Sequence, residues 1–315
     1  MPSKIYFSFF IPIALLSCTV HKGNETIQPK QFRTEIPFEI QNGKLFILTY
    51  WGKNKTKQFL AFDTHAPTWA DSAILNNNHS TSRMKDLFFK TRTIDGTKLT
   101  GSVYVCDSIS LGTVRFDKAI IYKISSLADY GLYSRGPEAV FGDNLISMGI
   151  WKIDFENNVL LFASSLDSIN SLYDATKLPS EFSSNIISLD AVFPNRTHKK
   201  LEVDLGYNGS VILSKKEFTE IDTERGKNLN NRSVLNTLAG AHNTNDIILP
   251  AKINIGTHNY PATIHLSEVV KENLLGLDFF LQFKFVILDY KNKAIYVFIE
   301  NVDIVAIAGS LQKNK

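Results

Sequence analysis

Apolar and polar residues alternate through much of this chain. From residues 36 to 62 the alternation predicts strands, with a turn at Asn42-Gly43, a strand over Phe46-Ile47-Leu48-Thr49-Tyr50-Trp51, a turn at Gly52-Lys53-Asn54-Lys55, and a last strand ending on Asp63. The arrangement recurs farther on, where Ile186 to Phe193 precede a turn at Pro194-Asn195-Arg196 and Leu201 to Val203 lead into Asp204. Each aspartate therefore closes a hairpin. Beyond them, Ala70 to Leu75 predict one helical turn, and Ser214-Lys215-Lys216-Glu217-Phe218 hold the equivalent place. Asp95-Gly96, flanked by Thr91-Arg92-Thr93-Ile94 and Val103-Tyr104-Val105, is a strong hairpin-turn signal, and its counterpart is the Gly-containing tip Leu238-Ala239-Gly240-Ala241. Both are candidate flaps over a cleft.

The chain thus repeats itself once. Gly112, Gly142 and Asp154 lie 49, 79 and 91 residues after Asp63, and Gly256, Gly276 and Asp289 lie 52, 72 and 85 residues after Asp204. Two long copies argue for duplicated lobes, because solenoids stack shorter units in larger numbers. If the lobes face each other about a pseudo-two-fold axis, Asp63 and Asp204 meet at their interface.

Composition is consistent with two packed lobes of sheet. The 315 residues are 44% hydrophobic and 11% aromatic, enough for real cores, and the excess of Phe, Ile, Val and Tyr over Ala favours strands. A net charge of +3 with scattered lysines leaves no electrostatic footprint for nucleic acid.

The N-terminus reads as a processing signal. Lys4 is followed by an apolar stretch from Ile5 to Leu16, too short to span a bilayer, and Leu15-Leu16-Ser17-Cys18 resembles the lipobox of a bacterial lipoprotein. That resemblance implies cleavage before Cys18 and diacylation of its thiol; an ordinary secretory signal with an incidental cysteine is the alternative. Either places the protein outside the cytoplasm, and the lipobox implies a bacterial cell envelope, facing the periplasm. Thr19, where an aspartate would signal inner-membrane retention, favours the outer membrane. With Cys18 lipidated, Cys106 has no partner and is expected as a buried small hydrophobe.

The expected organisation is a signal peptide at 1–18, a tether at 19–35, an N-terminal lobe at 36–165, a linker with at most a short helix at 166–185, a C-terminal lobe at 186–302 and a tail at 303–315.

An apolar strand, an Asp-Thr turn, a hairpin flap and an apolar pair followed by glycine, all duplicated, resemble the layout of pepsin-like and retropepsin-like aspartic proteases. The resemblance covers roughly residues 36 to 300 and is strongest at Leu274-Leu275-Gly276-Leu277-Asp278-Phe279-Phe280. It implies an all-β fold of two barrel-like lobes with a cleft between them. It implies catalysis by Asp63 and Asp204, which would share one proton and activate a water against a peptide bond. It assigns Asp95, Gly96 and Gly240 to flaps that bind substrate, and Gly142 and Gly276 to close backbone approach beside the catalytic turns. Its partners are a peptide or protein substrate and the membrane through the lipid; it needs no cofactor, and two lobes in one chain need no dimer.

Both turns depart from the family's Asp-Thr/Ser-Gly. Asp63-Thr64-His65 puts an imidazole where glycine leaves room for the opposing loop, and a cation reaching the pair would lower its hold on a proton. Asp204-Leu205-Gly206 keeps the glycine, but Leu205 cannot return the cross-lobe bond that the Thr64 hydroxyl offers. Two functional classes follow: a lipid-anchored aspartic endopeptidase, or an inactive relative that binds peptide or a partner protein in the same groove. No metal is expected, because the seven histidines show no metal-ligand spacing, and no G-x-S-x-G elbow supports a serine nucleophile. Asp154 and Asp289 precede Asn-containing turns and read as structural.

Overall fold

Period-two burial builds the first lobe. In the computed structural model, which describes residues 25–124, 139–169, 175–214, 230–237 and 240–298, β1 (Thr26–Gln28) is an added edge strand. β2 (Arg33–Gln41) buries Thr34, Ile36 and Phe38 and exposes the residues between them, and β3 (Lys44–Trp51) buries Leu45, Ile47, Thr49 and Trp51 in the same rhythm. β4 (Thr56–Phe62) follows, its last three residues fully enclosed. Next come β5 (Trp69–Ala70) and a short helix, α1 (Ser72–Asn77), whose N-terminus Asp71 caps by accepting from the Ile74 N–H. β6 (Thr81–Arg92) and β7 (Lys98–Leu111) form the long first hairpin, and β8 (Val114–Ile124) returns beside it. β9 (Ala139–Phe141), α2 (Asp143–Ile146), β10 (Ile150–Asp154) and β11 (Val159–Ala163) complete the lobe.

The second lobe repeats the plan. β12 (Thr176–Leu178) and β13 (Ser180–Ser183) precede the hairpin of β14 (Ile186–Val192) and β15 (His198–Asp204). β16 (Val211–Ser214), a long hairpin of β17 (Asn230–Thr237) and β18 (Gly240–Ile255), and β19 (His258–Ser267) follow. β20 (Leu274–Gly276), α3 (Leu277–Phe280), β21 (Phe285–Asp289) and β22 (Ala294–Phe298) close it. The molecule is all-β, with two similar barrel-like lobes and a cleft between them. Among the described residues no helix is long and apolar enough to cross a membrane.

A platform running β12-β22-β21-β10-β11-β2 joins the lobes. At its centre β10 and β21 are antiparallel, with Ile150 opposite Asp289 and Asp154 opposite Phe285. Those four residues are equivalent in the duplication, so the register carries the pseudo-two-fold axis. Asp154 and Asp289 end their strands as turn caps: Asp154 accepts from the Asn157 N–H, and Asp289 from the N–H groups of Lys291 and Asn292.

Aromatic packing fixes the floor beneath the first aspartate. Trp151 on β10 stacks on Phe162 at 3.9 Å between centroids, meets Phe62 edge-on at 5.1 Å, and donates its indole N–H to the Ile146 carbonyl at 2.7 Å. Phe62 immediately precedes Asp63, so this cluster sets where that carboxylate sits. In the second lobe Tyr260, Phe279 and Phe283 form a similar knot, with edge contacts of 5.5 to 5.8 Å.

Two expectations of organisation change. The fold begins before residue 36: β1 pairs with β8, Glu25 accepts from the Ile120 N–H and the Asn144 side chain, and β2 starts at Arg33. The segment expected as a linker holds a short helical turn at Leu166–Ser168, but also β12, which extends the platform beside β22, and β13, which pairs with β14. Open strand edges recruit these polar stretches, and hydrogen bonding there needs little side-chain pattern. The signal peptide, the N-terminal part of the tether, most of the second expected helical turn, Leu238-Ala239 and the tail lie outside the described residues.

Candidate active site

The two aspartate turns are built alike from backbone. Asp63 Oδ1 accepts from the N–H groups of His65 at 2.8 Å and Ala66 at 3.0 Å; Asp204 Oδ1 accepts from Gly206 at 2.8 Å and Tyr207 at 3.0 Å. Beside each runs a short parallel strand, β9 against β4 and β20 against β15. β9 leads directly into Gly142 and β20 ends on Gly276, and at these glycines the chain crosses the turn at contact distance. A first side-chain carbon at Gly142 would lie 2.3 Å from the Ala66 carbonyl oxygen, and one at Gly276 would lie 2.3 Å from that of Gly209. The turn carbonyls then accept from the next residues, Ala66 from Asp143 and Tyr207 from Leu277, both at 2.8 Å.

The lobes bring the aspartates together. A first side-chain carbon at Gly206 would lie 2.1 Å from Asp63 Oδ2, so the Asp63 carboxylate rests against the opposing turn. Asp204 is 7% exposed. Thr64 crosses the interface: its hydroxyl donates to the Val203 carbonyl at 2.9 Å and accepts from the Leu205 N–H at 3.0 Å. Leu205 turns its own side chain into the core and returns no bond. Lys44, at the start of β3, donates to the Gly206 carbonyl at 2.6 Å.

The His65 N–H serves Asp63 as the Gly206 N–H serves Asp204, while the imidazole goes elsewhere. The imidazole bonds to Glu202, not to either aspartate: its Nε2 meets Glu202 Oε2 on β15 at 2.6 Å. Glu272 completes a trio with donor atoms within 4.8 Å of one another, the one such group among the described residues. Because the imidazole nitrogen is already engaged by Glu202, we read an ion pair with a neighbouring acid and assign no metal.

The electrostatics follow from this placement. Burial, then the charge of Asp63, pushes Asp204 up to about 7, against the pull of His65, Lys44 and the Gly206 N–H. Burial works against charge on His65, but the Glu202 bond and the carboxylates of Asp204, Glu202 and Glu272 outweigh it and raise the imidazole to about 9. Glu202 is lowered, first by its bond to His65, although burial opposes this. Asp143, just after Gly142, is raised to about 6 by burial and by Asp63, with relief from Asn185, a backbone N–H and His65. At neutral pH the site therefore combines a carboxyl able to hold a proton with an imidazolium paired to its own acid.

The tip of the first hairpin reaches the second lobe. At its tip Asp95 accepts from the Thr97 N–H at 3.0 Å, and Gly96 has φ of +84°, a conformation suited to glycine. Ile94 packs against Tyr207, Ile212, Val270 and Leu274, and its carbonyl accepts from the Lys271 N–H at 2.7 Å. The flap of one lobe thus rests on the other. Gly240 begins β18 opposite Thr237, at the end of the second hairpin.

Sequence reading missed Glu202, Glu272, Lys44 and Asp143. Period-two alternation puts Glu202 on the same face as Asp204, a signal available on the page. Lys44 and Glu272 carry no local pattern, since loops and cross-lobe contacts place them.

The fold is similar to that of a solved aspartic proteinase from Irpex lacteus. The match has a TM-score of 0.59 at 14% identity, and covers 87% of this chain and 99% of that one. At that identity the likeness concerns the fold. No protein-family profile matches the chain, and no curated protein matches its sequence.

Proposed function

We propose that this chain is an aspartic endopeptidase, carried on a bacterial envelope by lipid at Cys18, that hydrolyses extended peptides laid between flap and aspartates. The observation that carries the reading is the pair of equivalent turns that sets Asp63 against Gly206 while Asp204 is raised to about 7. A water between the carboxylates loses a proton to the ionised member as it attacks the peptide carbonyl carbon. The protonated member gives its proton to the carbonyl oxygen, so a neutral diol forms. Collapse of the diol returns a proton to the pair, another passes to the departing nitrogen, and the C–N bond breaks. The turn N–H groups hold the carboxylates in place through this exchange, and Lys44 holds the second turn through the Gly206 carbonyl.

The fold likeness supports the reading without fixing the activity, because a fold hosts many functions. A second reading, a groove that holds a peptide or partner protein without cutting it, draws on the flap bonded to Lys271 and on the missing hydroxyl at Leu205. Incubation with a diverse peptide mixture from about pH 3 to about pH 8, read by mass spectrometry against Asp63→Asn and Asp204→Asn, decides between them. Cutting abolished by both substitutions is the expected result; a folded protein that retains peptides uncut at every pH supports the second reading. The lipid anchor has its own test, since fatty-acid labelling should vanish in Cys18→Ser.

A further inference from the structure

We propose that the His65–Glu202 pair is a second clasp between the lobes, standing in for the hydroxyl that Leu205 lacks, with Glu202 as the positioning residue that keeps the imidazole off the two aspartates.

The duplication frames the case. Positions 64 and 205 are equivalent, and only Thr64 bonds across, to Val203 and to the Leu205 N–H. The return bond, from the second turn to the first, is missing. In its place the first turn makes one more crossing from its next residue, His65, to Glu202. Both crossings land on consecutive residues at the end of β15. Glu202 is fixed there by its N–H bond to the Asn273 carbonyl at 2.9 Å, opposite Leu274 on β20. A two-way clasp has become a one-way clasp with two grips.

The equivalent positions explain why the extra grip occurs once. The counterpart of His65 is Gly206, where a first side-chain carbon would fall 2.1 Å from Asp63 Oδ2. The counterpart of Glu202 is Ala61, buried under the first sheet. Only one turn has room for a side chain, and only one strand offers an acid to receive it. The departures at His65 and Leu205 thus belong to one arrangement.

Glu202 also decides what the imidazolium does to the aspartates. From the second lobe His65 faces Glu202, Asp204 and Glu272, and from the first lobe Asp143; Lys200 acts on Glu202, and Arg92 on Glu272. With Glu202 neutral, Asp204 and Glu272 are the carboxylates of the second lobe left acting on His65, and a cation turned toward Asp204 would weaken the site's hold on its proton.

The clasp does not depend on the peptidase reading; only the kinetic arm of the test does. A double-mutant cycle compares the full chain with His65→Gly, Leu205→Thr and the pair together by chemical denaturation. His65→Gly should lower the midpoint, Leu205→Thr should lower it too by removing buried apolar surface, and the double variant should lose clearly less than the sum of the two because the new hydroxyl can supply the return bond. Strictly additive effects would overturn the proposal. Glu202→Gln, which preserves shape, is followed by NMR of histidine labelled at Cε1, with His65 assigned by its absence in His65→Gly. The His65 midpoint should fall from about 9, with Asp204 and Glu272 still holding the imidazole charged through about pH 7; an unmoved midpoint would also overturn it. If the native chain cuts peptides, the alkaline limb of kcat/KM should shift to lower pH in Glu202→Gln, and an unchanged limb counts against the positioning role. A chain that cuts nothing fails the peptidase reading alone, because the cycle and the NMR titration still decide the clasp.

Discussion

Asp143→Asn should make the protein more stable at about pH 8 and leave it nearly unchanged at about pH 4. The carboxyl follows Gly142, with Oδ1 unpartnered among the described residues and a long bond of 3.4 Å from the Asn185 side chain to Oδ2. Burial and the charge of Asp63 raise it from 3.8 to about 6. A carboxyl raised in the folded state contributes stability that is present below about 3.8 and lost as pH climbs through about 6. At about 1.4 kcal/mol per pH unit, the shift from 3.8 to about 6 amounts to roughly 3 kcal/mol lost above about pH 7. Asparagine keeps the shape and removes the charge, so the gain at about pH 8 should be about 1–3 kcal/mol, the lower end allowing for its own imperfect bonding. Urea midpoints at several pH values, for both chains with the slopes compared, give the difference curve. Titrations of Asp204 and His65 are common to both chains and largely cancel. Parallel curves from about pH 4 to about pH 8, or a variant less stable at the alkaline end, would refute the reasoning.

Thr64→Val should cost about 2–4 kcal/mol in chemical denaturation, because the Val203 carbonyl and the Leu205 N–H both lose their partner across the interface; a loss below about 0.5 kcal/mol would contradict the bonding. Gly276→Ala should cost about 3 kcal/mol or more, read as a fall in Tm, since the added carbon would lie 2.3 Å from the Gly209 carbonyl oxygen with no room to shift. If peptides are cut, kcat/KM should fall as pH rises through about 7, where Asp204 gives up its proton; a rate still rising between about pH 7 and about pH 9 would point to different chemistry.

The features legible in the sequence were those with local patterns. Alternation marks β2, β3 and β4, the Asp95-Gly96 turn marks the tip of the first hairpin, and the duplication pairs Asp63 with Asp204 and Gly142 with Gly276. Partners supplied from a distance were illegible. β12 and β13 are three and four residues drawn from a stretch of Ser, Asp and Asn, and they are strands because β22 and β14 offer open edges. β1 similarly depends on β8. The departure at His65 was visible, but its resolution was not, because Glu202 lies 137 residues away and only the facing of the lobes brings it within 2.6 Å. Leu205 reads from sequence as a missing bond; the structure adds that its side chain packs in the hydrophobic core that spans both lobes.

The central claim is that two aspartates from duplicated turns hold one proton between them. Labelling aspartate at Cγ and following Asp204 by NMR through acid and neutral pH tests it without any substrate. Asp204 should keep its proton until about pH 7, and Asp63→Asn, by removing the neighbouring charge, should move that midpoint down. An Asp204 carboxyl that titrates near 3.8, unmoved by Asp63→Asn, would contradict it.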